Sequence, residues 1–136
     1  MRTTLVMLIA WVCILTYKES PKDIYNGIKH DLKENQVMVP FQYSEVIKFA
    51  KIYPLGISLD MSTFNNAHVN IIIDDDQWKR LSKDNKKKLL LHESMHSMFN
   101  ITHCYHDKCV MYPSLKRNKN VSYNVLLRNT IDNHLR

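Results

Sequence analysis

The sequence predicts an α+β domain in which a small twisted sheet packs on a central helix and a C-terminal helix closes the fold. Three observations carry this expectation. Apolar runs at residues 56–60 and 68–73, the second holding Ile71-Ile72-Ile73, have the make-up of strands. Residues 83–99 place Leu89, Leu90, Leu91, Met95, Met98 and Phe99 around most of a helical circumference, as a helix covered on many sides requires. Tyr123, Leu126, Leu127, Ile131 and Leu135 recur at helical spacing behind Ser122, a good N-cap.

The elements follow in chain order. Met1-Arg2 and the apolar stretch over residues 3–17 have the layout of a secretory signal, so residues 1–20 are expected to be a signal peptide or an N-terminal membrane anchor. The stretch is shorter than the roughly 20 residues of a comfortable span, and Lys18-Glu19-Ser20-Pro21 offers no small-x-small cleavage site, so both options stand. Cys13 is a candidate lipid acceptor in a poor context, Trp11-Val12. The chain is therefore expected to be exported: secreted, periplasmic or held at a membrane through residues 3–17. Ser20-Pro21 opens a helix with Ile24, Ile28 and Leu32 on one side, ending near Asn35. Ser44 is read as the cap of a second helix over residues 45–51, with Val46, Ile47, Phe49 and Ala50 as its apolar side and Pro54-Leu55-Gly56 as its stop. After the two strands, Asp74-Asp75-Asp76 favours the start of a short helix through Trp78 and Leu81, with calcium binding as the other reading. Ser82 caps the central helix.

Residues 21–136 form one domain. At 136 residues, 45% apolar and 24% charged, the chain is too short for two domains, and intrinsic disorder, collagen-like repeats and a disulfide-dense miniprotein are excluded. The +6 charge is gathered in Lys86-Lys87-Lys88 and Lys116-Arg117-Asn118-Lys119 without interleaved aromatics, so these runs read as solvated faces and not as a nucleic-acid groove. With Cys13 assigned to the signal, Cys104 and Cys109 remain, with four residues between them. Export favours a disulfide between them; zinc thiolates are the rival, and would need two further ligands.

The chemistry concentrates on the central helix, where four of the seven histidines fall between positions 92 and 106. His92 and His96, four apart, project from one helical face and can grip one Zn²⁺. Glu93 is offset by roughly 100° from His92, off the metal but near enough to take a proton from an activated water. A catalytic zinc takes three protein ligands and keeps one position open. No glutamate follows Glu93, so a third ligand from a later glutamate is excluded unless Asp132 substitutes. His103 is the best-placed third ligand, with His106 and Asp107 as alternatives, because the chain must turn back after the helix and Asn100 tolerates the left-handed conformation of such a turn.

At these residues the chain resembles the metzincin zinc proteases, and among them the matrixins and small matrixin-like proteins. The metzincin pattern HExxHxxGxxH with a following methionine turn is similar to His92-Glu93-x-x-His96, His103 and Cys109-Val110-Met111-Tyr112-Pro113. Ile73-Asp74-Asp75-Asp76-Gln77-Trp78 resembles the Asp-rich segment ahead of the matrixin active-site helix, and His103, Cys104, Cys109 and Met111 match the His-Cys-x4-Cys-x-Met arrangement of archaemetzincins. The family glycine is absent and six residues, not five, separate His96 from His103, which makes Asn100 the pivot of a longer turn. The resemblance covers residues 43–114. It implies a compact metzincin-like (zincin) fold and a zinc endopeptidase acting on a peptide or protein substrate, with His92, His96 and His103 as zinc ligands and Glu93 as general base. It further implies Met111 as an apolar floor beneath the metal, and Tyr112 and Pro113 as the wall of the pocket for the residue after the cleaved bond. A monomer without nucleic-acid partners is expected. Two other readings remain: a noncatalytic zinc-binding module closed by some of His103, Cys104, His106 and Cys109, and a membrane-attached binding protein that keeps the helix as core.

Overall fold

A computed structural model describes residues 19–40, 44–52, 56–63 and 66–136. The expectations for residues 3–17 and for Cys13 concern positions outside these. No helix among the described residues is long and apolar enough to cross a membrane.

The fold is α+β. Its elements are α1 (Pro21–Glu34), β1 (Ser44–Ala50), β2 (Gly56–Thr63), β3 (Asn66–Asp74), α2 (Asp75–Arg80), α3 (Lys83–Phe99), a 3-10 turn (Leu115–Asn118) and α4 (Tyr123–His134). Helix α1 begins on a capping box: Ser20 Oγ accepts from Asp23 N–H at 3.2 Å while the Asp23 carboxylate accepts from Ser20 N–H at 3.0 Å. One face of the helix then buries Ile24, Tyr25, Ile28 and Leu32.

Of residues 45–51, expected to be helical, 45–50 belong instead to β1 and Lys51 follows it. Val46, Ile47, Phe49 and Ala50 sit at spacings that a short helix and a strand share, and β-branched and aromatic residues favour the strand once a partner is present. That partner is β3, the middle strand of the sheet order β1-β3-β2. β1 runs parallel to it, from Ser44↔His68 to Ala50↔Asp74, and β2 antiparallel, from Gly56↔Ile73 to Thr63↔Asn66. Ile71 and Ile73 of β3 are fully buried.

Asp74 turns the sheet into the helical half of the domain. Its carboxylate accepts from Gln77 N–H at 2.8 Å, capping α2, and from Ile52 N–H at 3.1 Å, just past the end of β1. These bonds hold its pKa below the usual carboxylate value. Asp75 pairs with Lys79 at 2.7 Å. The acidic run thus serves the cap, and its three carboxylates do not converge on a common cation position.

Helix α3 lies at the centre, touching α1, β2, β3, the 3-10 turn and α4. Leu90, Leu91 and Met95 are completely inaccessible, and Leu126 and Ile131 of α4 close over the same core. Truncating Leu91 to alanine is expected to cost about 2–5 kcal/mol, read as a shift of the urea unfolding midpoint at unchanged slope. One basic residue contradicts the solvated-face expectation: Lys88 is 1% exposed, whereas Lys86 and Lys87 reach over the rings of Trp78 and Tyr123.

Candidate metal centre

The site begins with how α3 ends. Asn100 adopts φ 52°, ψ 35°, its N–H bonding the His96 carbonyl at 3.1 Å, and Ile101 N–H reaches back to the Met95 carbonyl at 3.2 Å. Asparagine is among the few residues other than glycine that enter the left-handed region readily. The reversal presents the Ile101 carbonyl to His96 and brings His103 over the helix face that carries His92 and His96.

Two imidazoles are oriented by backbone. His92 donates from Nδ1 to the Val110 carbonyl at 2.7 Å, and His96 donates from Nδ1 to the Ile101 carbonyl at 2.7 Å. Because a carbonyl only accepts, the proton of each neutral ring sits on Nδ1 and the lone pair on Nε2. His96 Nε2 lies 3.1 Å from His92 Nε2 and 3.1 Å from His103 Nε2. Lone pairs facing one another at that distance repel unless an electrophile lies between them. The spacing is close to the edge of about 3.3 Å that follows from tetrahedral zinc with Zn–N near 2.0–2.1 Å. The three nitrogens form one of two His/Cys groups among the described residues that could hold a metal ion.

Burial sets the electrostatics. His92 is 8% exposed; desolvation pushes its pKa down to about 4, and the neighbouring His96 and His103 push the same way against the Val110 bond. His96 is lowered as well, chiefly by burial. Both rings therefore offer neutral lone pairs at neutral pH. Glu93, 4% exposed, is pushed up to about 7 by desolvation. Its carboxylate has no hydrogen-bond partner among the described residues.

The loop that carries Met111 lies against the histidines through backbone. Besides the Val110 carbonyl on His92, the Met111 carbonyl accepts from Cys104 N–H at 3.1 Å, beside His103. Met111 is fully buried, and Cys104 and Cys109 form a disulfide across this loop. Half-buried Tyr112 packs edge-on against exposed Tyr105, and Arg117 lies over its ring. Pro113 is exposed. The two alternative third ligands go elsewhere. Asp107 binds Arg117 at 2.6 Å, and His106 lines a polar cavity with Cys109, Asn129, Asn133 and His134 that none of the three histidines touches. The second His/Cys group is Cys104, Cys109 and His134, whose Nε2 lies 3.6 Å from Cys109 Sγ, and in it the two sulfurs are joined to each other. Sequence reasoning missed the Val110 and Ile101 carbonyls, since a backbone group leaves no mark in residue type. It also missed Lys88 and Asn118.

The pKa shift of Glu93 makes a test in metal-free protein. Its folded pKa lies above the unfolded value of 4.5, so the stability it contributes is complete below pH 4.5 and lost as pH rises through about 7. Glu93→Gln is expected to unfold with nearly the parent free energy below pH 4.5 and to gain about 3 kcal/mol on the parent above pH 7.5, measured by urea titration in chelator. His92 acts with the opposite sign. Its depressed pKa contributes stability that is present above 6.5 and lost as pH falls toward 4, which leaves an acid-side slope in the variant.

No family model matches the chain, and no curated protein or solved structure matches it.

Proposed function

We propose that the chain is a zinc-dependent endopeptidase of the small matrixin-like metzincin type. The observation that carries this reading is the meeting of the His92, His96 and His103 Nε2 atoms above α3, with the buried carboxyl of Glu93 next in the helix. Three imidazoles, two of them locked in the tautomer that frees Nε2, suit Zn²⁺, and the group contains no fourth protein ligand among the described residues. Zn²⁺ held there by His92, His96 and His103 would supply Lewis acidity, the chemistry that lowers the pKa of water and polarises a carbonyl.

The remaining steps belong to the chain's own residues. Glu93 takes the proton of the attacking water and hands it to the leaving amine nitrogen. Burial alone raises its carboxyl to about 7 in the metal-free protein, and a cation held by the three histidines would favour the carboxylate, the form that accepts a proton. Strand β2, an edge of the described sheet, packs beside α3, so an extended peptide can add to it by main-chain hydrogen bonds. Following the resemblance, Met111 is an apolar floor, and Tyr112 and Pro113 flank the residue after the cleaved bond. Residues 3–17 support export or membrane attachment of a monomer acting on peptides or proteins.

Metal analysis and peptide cleavage test the reading together. The purified protein is expected to carry about one zinc per chain and to cleave a mixed peptide pool, losing cleavage to a zinc chelator and regaining it on zinc addition. Zinc-loaded protein that leaves every peptide intact would favour the noncatalytic zinc-binding module.

A further inference from the structure

Lys88 stands four residues before His92 on α3, on the same helical row as the two histidines, yet its side chain is 1% exposed. A buried ammonium is costly unless its three donors are satisfied. Here Nζ meets Asp84 Oδ2 at 2.6 Å, the Asn118 carbonyl at 3.2 Å and the Lys119 carbonyl at 3.4 Å. Asp84 is itself held, since its Oδ1 accepts from Tyr123 N–H at 3.2 Å. The charge therefore ties α3 and the start of α4 to the C-terminal end of the 3-10 turn.

From that turn a second link runs to the methionine loop. Asn118, 3% exposed, donates from Nδ2 to the Cys109 carbonyl at 2.7 Å, while its buried Oδ1 has no partner. An orphaned buried acceptor costs about 1–3 kcal/mol. Flipping the amide would not relieve it, because Oδ1 would then face another carbonyl. An amide in this place serves the single bond to Cys109. The next two residues in the loop carry the carbonyls that accept from His92 Nδ1 and from Cys104 N–H, beside His103.

We propose that Lys88 and Asn118 are positioning residues for the metal centre: the ammonium fixes the 3-10 turn, and the Asn118 amide fixes the loop that orients His92 and seats His103. The chain of contacts is continuous, and it reaches the loop beside His92 and His103 without passing through the Asn100 reversal. It rests on the reading of the histidines as a zinc site. Partners hydrogen-bonded directly to metal ligands change metal affinity by about 10- to 100-fold when they are lost, and Asn118 stands one bond further out, on the loop that carries such a partner, so its loss falls at the lower end of that range.

The test uses Asn118→Leu, which keeps the branched shape of the side chain and removes its hydrogen-bonding amide. Removing the charge of Lys88 would strand Asp84 and endanger the fold. Ile28→Ala in α1, which shares no bond with this chain, is the control for lost stability. Zinc affinity is measured by competition with a chromophoric chelator, and ligand geometry by the visible spectrum of the Co²⁺ form. Asn118→Leu is expected to bind zinc about 10-fold more weakly with a shifted Co²⁺ spectrum, and Ile28→Ala to match the parent within twofold. Should leucine prevent folding, Asn118→Ala makes the same comparison without added bulk. The proposal is overturned if a folded Asn118 variant keeps parental affinity and spectrum, or if Ile28→Ala loses as much affinity. A parent that binds no zinc overturns the metal-centre reading beneath it.

Discussion

Glu93→Gln is expected to lower peptide cleavage by about 10²- to 10⁴-fold while zinc content stays at the parent level. The two halves of this result have separate causes. Glutamine keeps the volume and a carbonyl oxygen, so the buried position still packs and the histidine nitrogens still meet. What it loses is the ability to take and return a proton. The loss belongs in kcat, because a proton in flight matters to the transition state more than to peptide binding. Metal-free Glu93→Gln is at the same time expected to be the more stable protein at neutral pH. Gained stability with lost turnover would be the signature of a carboxyl held in an apolar place for use. Equal cleavage by parent and variant would remove Glu93 from the mechanism.

His96→Ala is expected to weaken zinc binding by about 10²-fold or more. Zinc sites in small peptides bind with about 10–16 kcal/mol, so one ligand's share is about 3 kcal/mol, or two powers of ten. His96 is the most informative of the three histidines, since its Nε2 lies 3.1 Å from those of both His92 and His103. His106→Ala, by contrast, is expected to leave affinity unchanged, because His106 lines a different cavity. Equilibrium dialysis of both variants against zinc buffers separates the outcomes. Equal losses at His96 and His106 would contradict the grouping of the three histidines.

The helical half of the domain was legible in the sequence because its signals are local. Ser20, Asp74, Ser82 and Ser122 cap helices where they stand, and the N–H three residues on completes each cap. Asn100 enters the left-handed region, as a turn without a glycine demands. Residues 44–50 were not legible in this way. Their apolar pattern fits two periods, and only pairing along β3 selects the strand. Lys88 belongs to the same class of error. In the sequence it is the third of three lysines, and only the packing of the 3-10 turn on α3 turns it inward.

The candidate site divides along the same line. Residue type and spacing were enough to place His92 and His96 on one helical face with Glu93 beside them, and to prefer His103 over His106 and Asp107. Those inferences depend on helix pitch and on the chemistry of imidazole, which travel with the sequence. Only the tertiary structure supplied the carbonyls of Val110 and Ile101 that hold each ring, the burial that lowers His92 and raises Glu93, and the links from Lys88 through Asn118 to the loop. Each of these arises between segments distant in the chain or from backbone groups that every residue carries, so no residue type announces it before the chain has folded.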